Sequence, residues 1–175
     1  LILNCDIKEP IALYETLRKA QQLRFPRERL ILSGCTGLEQ LAREPSLVKR
    51  GTFYLNIEEV LKFVYLNRER EMSIDRVMML LKDPWTILKE NGLQIHDAWI
   101  EDTVRCYQEL GVEVANFPKM ILESHMVSAL REAGIGLSVW TVNEIDILMS
   151  CLNNEVVNIT TRQVKQAMKI RDDFA

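Results

Sequence analysis

The chain has 175 residues, 47% of them hydrophobic and 27% charged, with 7 Gly and 5 Pro, which is the composition of an ordinary globular protein. Collagen-like repeats, low-complexity disorder and disulfide-stapled miniproteins are excluded, and no run approaches the roughly 18 consecutive apolar residues of a membrane-spanning helix. Its 22 basic residues are balanced by 25 acidic ones, and a net charge of −3 asks for neither nucleic acid nor an anionic membrane.

The pattern along the chain alternates strand and helix. Residues 1–8 form an apolar run that ends in charge, a strand. Residues 11–24 space Leu13, Leu17, Ala20 and Leu23 along one side of an amphipathic helix, which Pro26 stops. A short strand over 29–33 leads to Gly34, a helix over 38–49 is broken near Pro45, and 52–55 is a third strand. From 57 to 110 the signal is helical, with helices at 57–69, 74–91 (interrupted near Pro84 and ended by Asn91-Gly92) and 99–110. Then come a strand at 112–116, a helix at 123–133 and the clearest strand of the sequence at 135–142. Asn143 is expected to cap a helix over 144–152, followed by a strand at 156–160 and a helix at 161–173.

Six strands alternating with helices, undivided by any linker, predict a mainly parallel α/β sheet. Two architectures satisfy this pattern: an open doubly wound sheet and a closed barrel. No dinucleotide-binding or P-loop glycine pattern follows any strand, and there is no GxSxG elbow. Cys5, Cys35, Cys106 and Cys151 lie far apart without a CxxC pair, as expected of reduced thiols in a cytoplasmic protein. Leu1 opens an apolar strand with no signal-peptide features, so the domain is expected to extend upstream.

Ligands of α/β proteins bind at the C-terminal strand ends. Those ends offer Asp6 and Lys8 on one strand face, then Ser33 and Gly34, Asn56, Asn116, Trp140 to Asn143, and Thr160 to Arg162. A carboxylate beside a lysine suits a divalent cation next to an anion, and equally a solvent-facing ion pair. His96 and His125 start helices and follow no strand, so neither is expected to act in catalysis.

These strand ends resemble a known set. Residues 133–143, AGIGLSVWTVN, resemble a characteristic strand of the glycerophosphodiester phosphodiesterase family; 156–163, VVNITTRQ, is similar to that family's final strand. Cys5-Asp6-Ile7-Lys8 is similar to its third strand, and RLILS over 29–33 to its fourth. The resemblance implies a (β/α)8 TIM barrel, here without its first two strands, spanning residues 1–175 with a helical elaboration around 57–110 that covers the barrel mouth or joins copies of the chain. It implies hydrolysis of a glycerophosphodiester to glycerol 3-phosphate and an alcohol, in lipid and glycerol metabolism. A divalent cation, magnesium or calcium, is implied as cofactor. Asp6 would then be a metal ligand, and Lys8 and Trp140 substrate-binding residues.

Departures from the family pattern are specific. Asp6 is one methylene shorter than the usual Glu, Gly34 replaces an aromatic residue, and Thr161 and Gln163 replace the final Asp and Pro. The family's His-Arg pair, Glu-x-Asp pair and second His do not occur in this sequence, so no catalytic residue is assigned. The competing expectation is a non-catalytic barrel-like module that binds a phosphate or a partner protein. Open sheet edges in such a piece invite pairing with another chain, such as a second copy.

Overall fold

In each strand, side chains alternate between a large apolar set and a polar or small set, and this alternation decides which face the helices cover. The computed structural model describes residues 1–34, 37–68 and 97–174. Its strands are β1 (Leu3–Ile7), β2 (Leu30–Gly34), β3 (Thr52–Asn56), β4 (Val114–Pro118), β5 (Gly136–Trp140) and β6 (Asn158–Ile159). All pair in parallel, in strict chain order, as a sheet curled into half a barrel. A doubly wound sheet reverses its strand order at a switch point, and this one does not.

The helices among the described residues are α1 (Pro10–Gln22), α2 (Gly37–Arg43), α3 (Ile57–Arg68), α4 (Asp97–Leu110), α5 (His125–Glu132), α6 (Ile145–Asn153) and α7 (Val164–Phe174). Leu32, Phe53, Leu55, Ala115, Phe117, Leu137 and Val139 point outward from the sheet and are buried under them. Leu13 and Leu17 of α1, Leu41 of α2, Leu61 of α3, Tyr107 of α4, Leu130 of α5 and Leu148 of α6 close this core. Helices therefore cover one face, and the other is left to line a cavity. Tyr65 of α3 meets Trp99 of α4 edge-on, with ring centroids 4.8 Å apart, and this contact joins the two described helices of the elaboration.

Several boundaries differ from expectation for local reasons. α1 ends before Pro26, because Arg24 turns left-handed (φ 52°) and the Phe25 amide returns to the Ala20 carbonyl. The expected helix over 38–49 is α2 plus a short 3-10 turn at Pro45–Lys49. Ser124 caps α5 by accepting from the Val127 amide. Asn143 does not cap α6, whose N-cap is Glu144; its Oδ1 accepts from Thr161 Oγ1 and the Arg162 amide across the sheet. The last strand shrinks to two residues, and α7 starts at Val164 after the Thr161 hydroxyl accepts from the Gln163 amide. The expected helix at 74–91, Cys35 and His96 lie outside the described residues.

Cys106 and Cys151 are buried reduced thiols, and loss of water around them pushes both pKa values up to about 11. A maleimide should therefore label half-exposed Cys5 in the native protein and reach Cys106 and Cys151 only after denaturation, as peptide mapping would show. Rapid native labelling of Cys151 would contradict this packing.

Candidate functional site

The uncovered face of the sheet bounds a cavity of about 440 Å³ at the C-terminal ends of the strands. Every strand contributes to its wall: Asp6 from β1, Ser33 and Gly34 from β2, Asn56 from β3, Asn116 from β4, Trp140 from β5 and Asn158 from β6. Lys8, one residue past β1, and Thr141 and Thr160, past β5 and β6, complete its rim. The three residues predicted to bind substrate or metal, Asp6, Lys8 and Trp140, are thus brought together around one cavity.

Asp6 and Lys8 sit where period-2 alternation puts them, on the same side of the strand. Lys8 Nζ lies 2.8 Å from Asp6 Oδ2, with 69% and 60% of the two side chains exposed, so the pair is a solvated one at the rim. Gly34 explains one departure from the family pattern. Its φ is +116°, and a Cβ there would lie 2.1 Å from the Ile7 carbonyl oxygen and 2.9 Å from Asp6 Oδ1. An aromatic residue at this position is sterically incompatible with where Asp6 lies; glycine leaves room for the carboxylate.

The cavity floor is a ladder of neutral polar groups. Ser33 Oγ donates to Asn4 Oδ1 at 2.9 Å across β1 and β2. Asn56, Asn116, Ser138 and Asn158 are linked side chain to side chain across β3 to β6. Ser138 is 1% exposed and Asn56 9%, so these polar groups are buried and satisfy one another.

Sequence reasoning missed Glu58, in the first turn of α3. It was legible only as one of two acids suited to a helix N-terminus. In the folded chain it turns back to the cavity, 8% exposed, with Oε1 accepting from Asn56 Nδ2 at 2.8 Å. Its Oε2 is buried without a hydrogen-bond partner. Burial is the main reason its pKa rises to about 7; Glu59 nearby adds to this, while its own backbone amide, Asn56 and Lys62 oppose it. Sequence offered one usable signal, an Asn-x-Glu at the end of an apolar strand.

Other charged strand-end groups stay outside the cavity. Lys119 and Glu144 pair with each other after β4 and β5, and that hydrogen bond, with backbone amides, holds the Glu144 carboxyl down at about 2. His125 faces solvent beside Asp97, 3.6 Å away, and does not line the cavity. A cavity of about 480 Å³ between α6, β6 and α7 is walled mostly by apolar side chains such as Leu148, Leu152, Val164 and Met168, with Arg171 as its charged residue and no carboxylate. Its lining suits packing better than chemistry.

The donors present do not by themselves fit a divalent cation. Among the described residues no three His, Cys, Asp or Glu side chains stand close enough to share one, and Asp6 is already engaged with Lys8. Calcium takes 6–8 oxygens and magnesium prefers an octahedron. Asp6 alone falls well short.

No family model and no curated protein matches this sequence. Among the described residues no helix is long and apolar enough to cross a membrane. Solved structures do share the fold. A glycerophosphodiester phosphodiesterase from Thermotoga maritima is similar at a TM-score of 0.61 and 19% identity, over 97% of this chain and 57% of that one. A structure from Silicibacter pomeroyi, assigned as a glycerophosphoryl diester phosphodiesterase, is similar at 0.58 and 13%, over 99% of this chain and 50% of that one. The chain spans about half the length of these two structures, and in fold it is similar to glycerophosphodiester phosphodiesterases, in agreement with the resemblance in its strands.

Proposed function

We propose that this chain forms the substrate-holding part of a phosphodiester hydrolase barrel, whose cavity takes a glycerophosphodiester and whose products are glycerol 3-phosphate and an alcohol. The observation that carries the reading is the convergence of Asp6, Lys8 and Trp140 on one cavity at the C-terminal strand ends. In this reading the Lys8 ammonium meets a phosphate oxygen, and the Trp140 indole walls the glycerol carbons. Asp6 holds Lys8 in place and would be one oxygen ligand of a magnesium or calcium ion. The chemistry proposed for these residues is binding and orientation, and none of it runs through a cation.

Lys8→Ala tests the reading directly. Losing a charge-assisted hydrogen bond at an exposed rim should weaken glycerol 3-phosphate binding about tenfold, roughly 1.4 kcal/mol. Isothermal titration of the wild-type and variant chains checks it, and equal affinities would remove Lys8 from the site.

A second reading, a phosphate-binding module without catalysis, is favoured by one observation: among the described residues no histidine lines the cavity. Binding of glycerol 3-phosphate without turnover, by the longest natural form of the protein, would select it.

A further inference from the structure

Hydrogen bonds across the cavity floor all run one way. Asn158 Nδ2 donates to Ser138 Oγ at 2.9 Å, and Ser138 Oγ donates to Asn116 Oδ1 at 2.9 Å. Asn116 Nδ2 donates to Asn56 Oδ1 at 2.7 Å, and Asn56 Nδ2 to Glu58 Oε1 at 2.8 Å. Carboxamides alone do not fix such a direction, because each can be turned end for end and still hydrogen-bond. Glu58 does fix it. Ionised, or carrying its proton on Oε2, the carboxyl presents Oε1 only as an acceptor, so Asn56 must show it the amide nitrogen. Asn56 Oδ1 is then left to accept from Asn116, whose own oxygen is left for the Ser138 hydroxyl. One acceptor on α3 thus sets the direction across four strands, β3 to β6.

The placement of Glu58 argues that this is its role. A buried carboxyl with an unpartnered Oε2 is costly to keep, and the neighbouring Tyr107 hydroxyl gives its proton to the Leu55 carbonyl instead. Accepting from Asn56 is the only side-chain hydrogen bond Glu58 makes among the described residues. Each carboxamide nitrogen has two hydrogens, and the chain uses one on each of Asn56, Asn116 and Asn158, all of which line the cavity. A floor directed this way keeps N–H groups for an acceptor-rich ligand.

We propose that Glu58 is a positioning residue: as the fixed acceptor at the end of the chain, it turns the cavity-lining asparagines so that each retains an N–H for an oxygen of the bound ligand. The ligand class, rich in phosphoryl and hydroxyl oxygens, rests on the function proposed above; the orientation itself does not. Groups that face Glu58 and titrate or carry charge are Glu59 and Lys62 on α3 and Tyr107 on α4, with Asp6 and Lys8 on the wall of the same cavity.

The test uses the full chain as wild type, Glu58→Gln and Glu58→Met, with two readouts. In nitrogen-15 spectra the side-chain amide resonances of Asn56 and Asn116 should move together as the wild-type pH passes about 7, and stay still in Glu58→Gln. In calorimetry with glycerol 3-phosphate, Glu58→Met, which has similar length and no acceptor oxygen, should bind about tenfold more weakly. Glu58→Gln, whose Oε1 still accepts, should restore affinity to within about threefold of wild type. Equal binding by Glu58→Met, or amide resonances indifferent to pH in the wild type, overturns the positioning role. Coupled resonances without any glycerol 3-phosphate binding uphold it and overturn the proposed ligand class. Should Glu58→Met fail to fold, the resonance comparison between wild type and Glu58→Gln decides alone.

Discussion

Glu58→Gln is expected to remove most of the loss of stability that the wild-type chain suffers as pH rises from about 4.5 to 7. In the unfolded chain this carboxyl ionises near 4.5, whereas in the folded chain burial delays ionisation to about 7. Between those values the folded state holds the extra proton, so raising the pH favours unfolding. Stability from this group is fully present below the unfolded pKa and is lost as pH climbs to the folded one. At about 1.36 kcal/mol per pH unit, the interval corresponds to about 3 kcal/mol, a large share of a typical domain's margin. Glutamine has the same shape and no charge to gain. Urea unfolding at pH 5 and pH 8 should show the wild type losing much of that amount and the variant little. Parallel losses in both proteins would mean that Glu58 is hydrated in the folded chain.

Most of the framework is legible in the sequence because it follows from local periodicity. Strand faces can be read from alternation alone: in Leu137-Ser138-Val139-Trp140 the apolar residues are buried outward, and Ser138 and Trp140 look to the cavity. The same rule places Asp6 and Lys8 on one side of β1, and strand-end logic brings them to Trp140. What escapes the sequence depends on partners far along the chain. Asn143 has the chemistry of a helix cap, but its oxygen is claimed by Thr161 and Arg162, which only the adjacent pairing of β5 and β6 brings near. Glu58 reads as a solvated acid: its partner Asn56 is only two residues away, but its burial depends on Tyr107 of α4, far along the chain. The asparagines carry a weaker signal: Asn4, Asn56, Asn116 and Asn158 each sit in a largely apolar strand, all facing the same way once the register is known. A polar residue repeated on one face of successive strands is costly unless its neighbours satisfy it. Such a repeat is therefore in itself a pointer to a hydrogen-bonded network.

The 175-residue chain by itself should release no glycerol 3-phosphate above background from glycerophosphocholine or glycerophosphoglycerol, with magnesium or calcium supplied. Hydrolysis of a phosphodiester at neutral pH needs a base for the attacking water and an acid for the departing alkoxide, each titrating near the working pH. His125 could carry a proton by its chemistry, yet 77% of its side chain is exposed and its neighbour is Asp97, away from the cavity wall. Glu58 has a suitable pKa, about 7, but its Oε2 is closed off and its Oε1 is committed to Asn56. That leaves one group of the right acidity where two exposed ones are required. Proton transfer of this kind contributes about 10²–10⁴-fold, so removing both partners takes the rate far below that of a complete site. A coupled assay for glycerol 3-phosphate, run on the chain alone and on a longer natural form of the protein, separates the two cases. Turnover by the chain alone that disappears in His96→Ala would place His96 in the cavity and supply the proton carrier that the described residues lack. Turnover that disappears only in Glu58→Gln would instead show that the carboxyl opens to the ligand, and that the floor it orders also takes part in the chemistry.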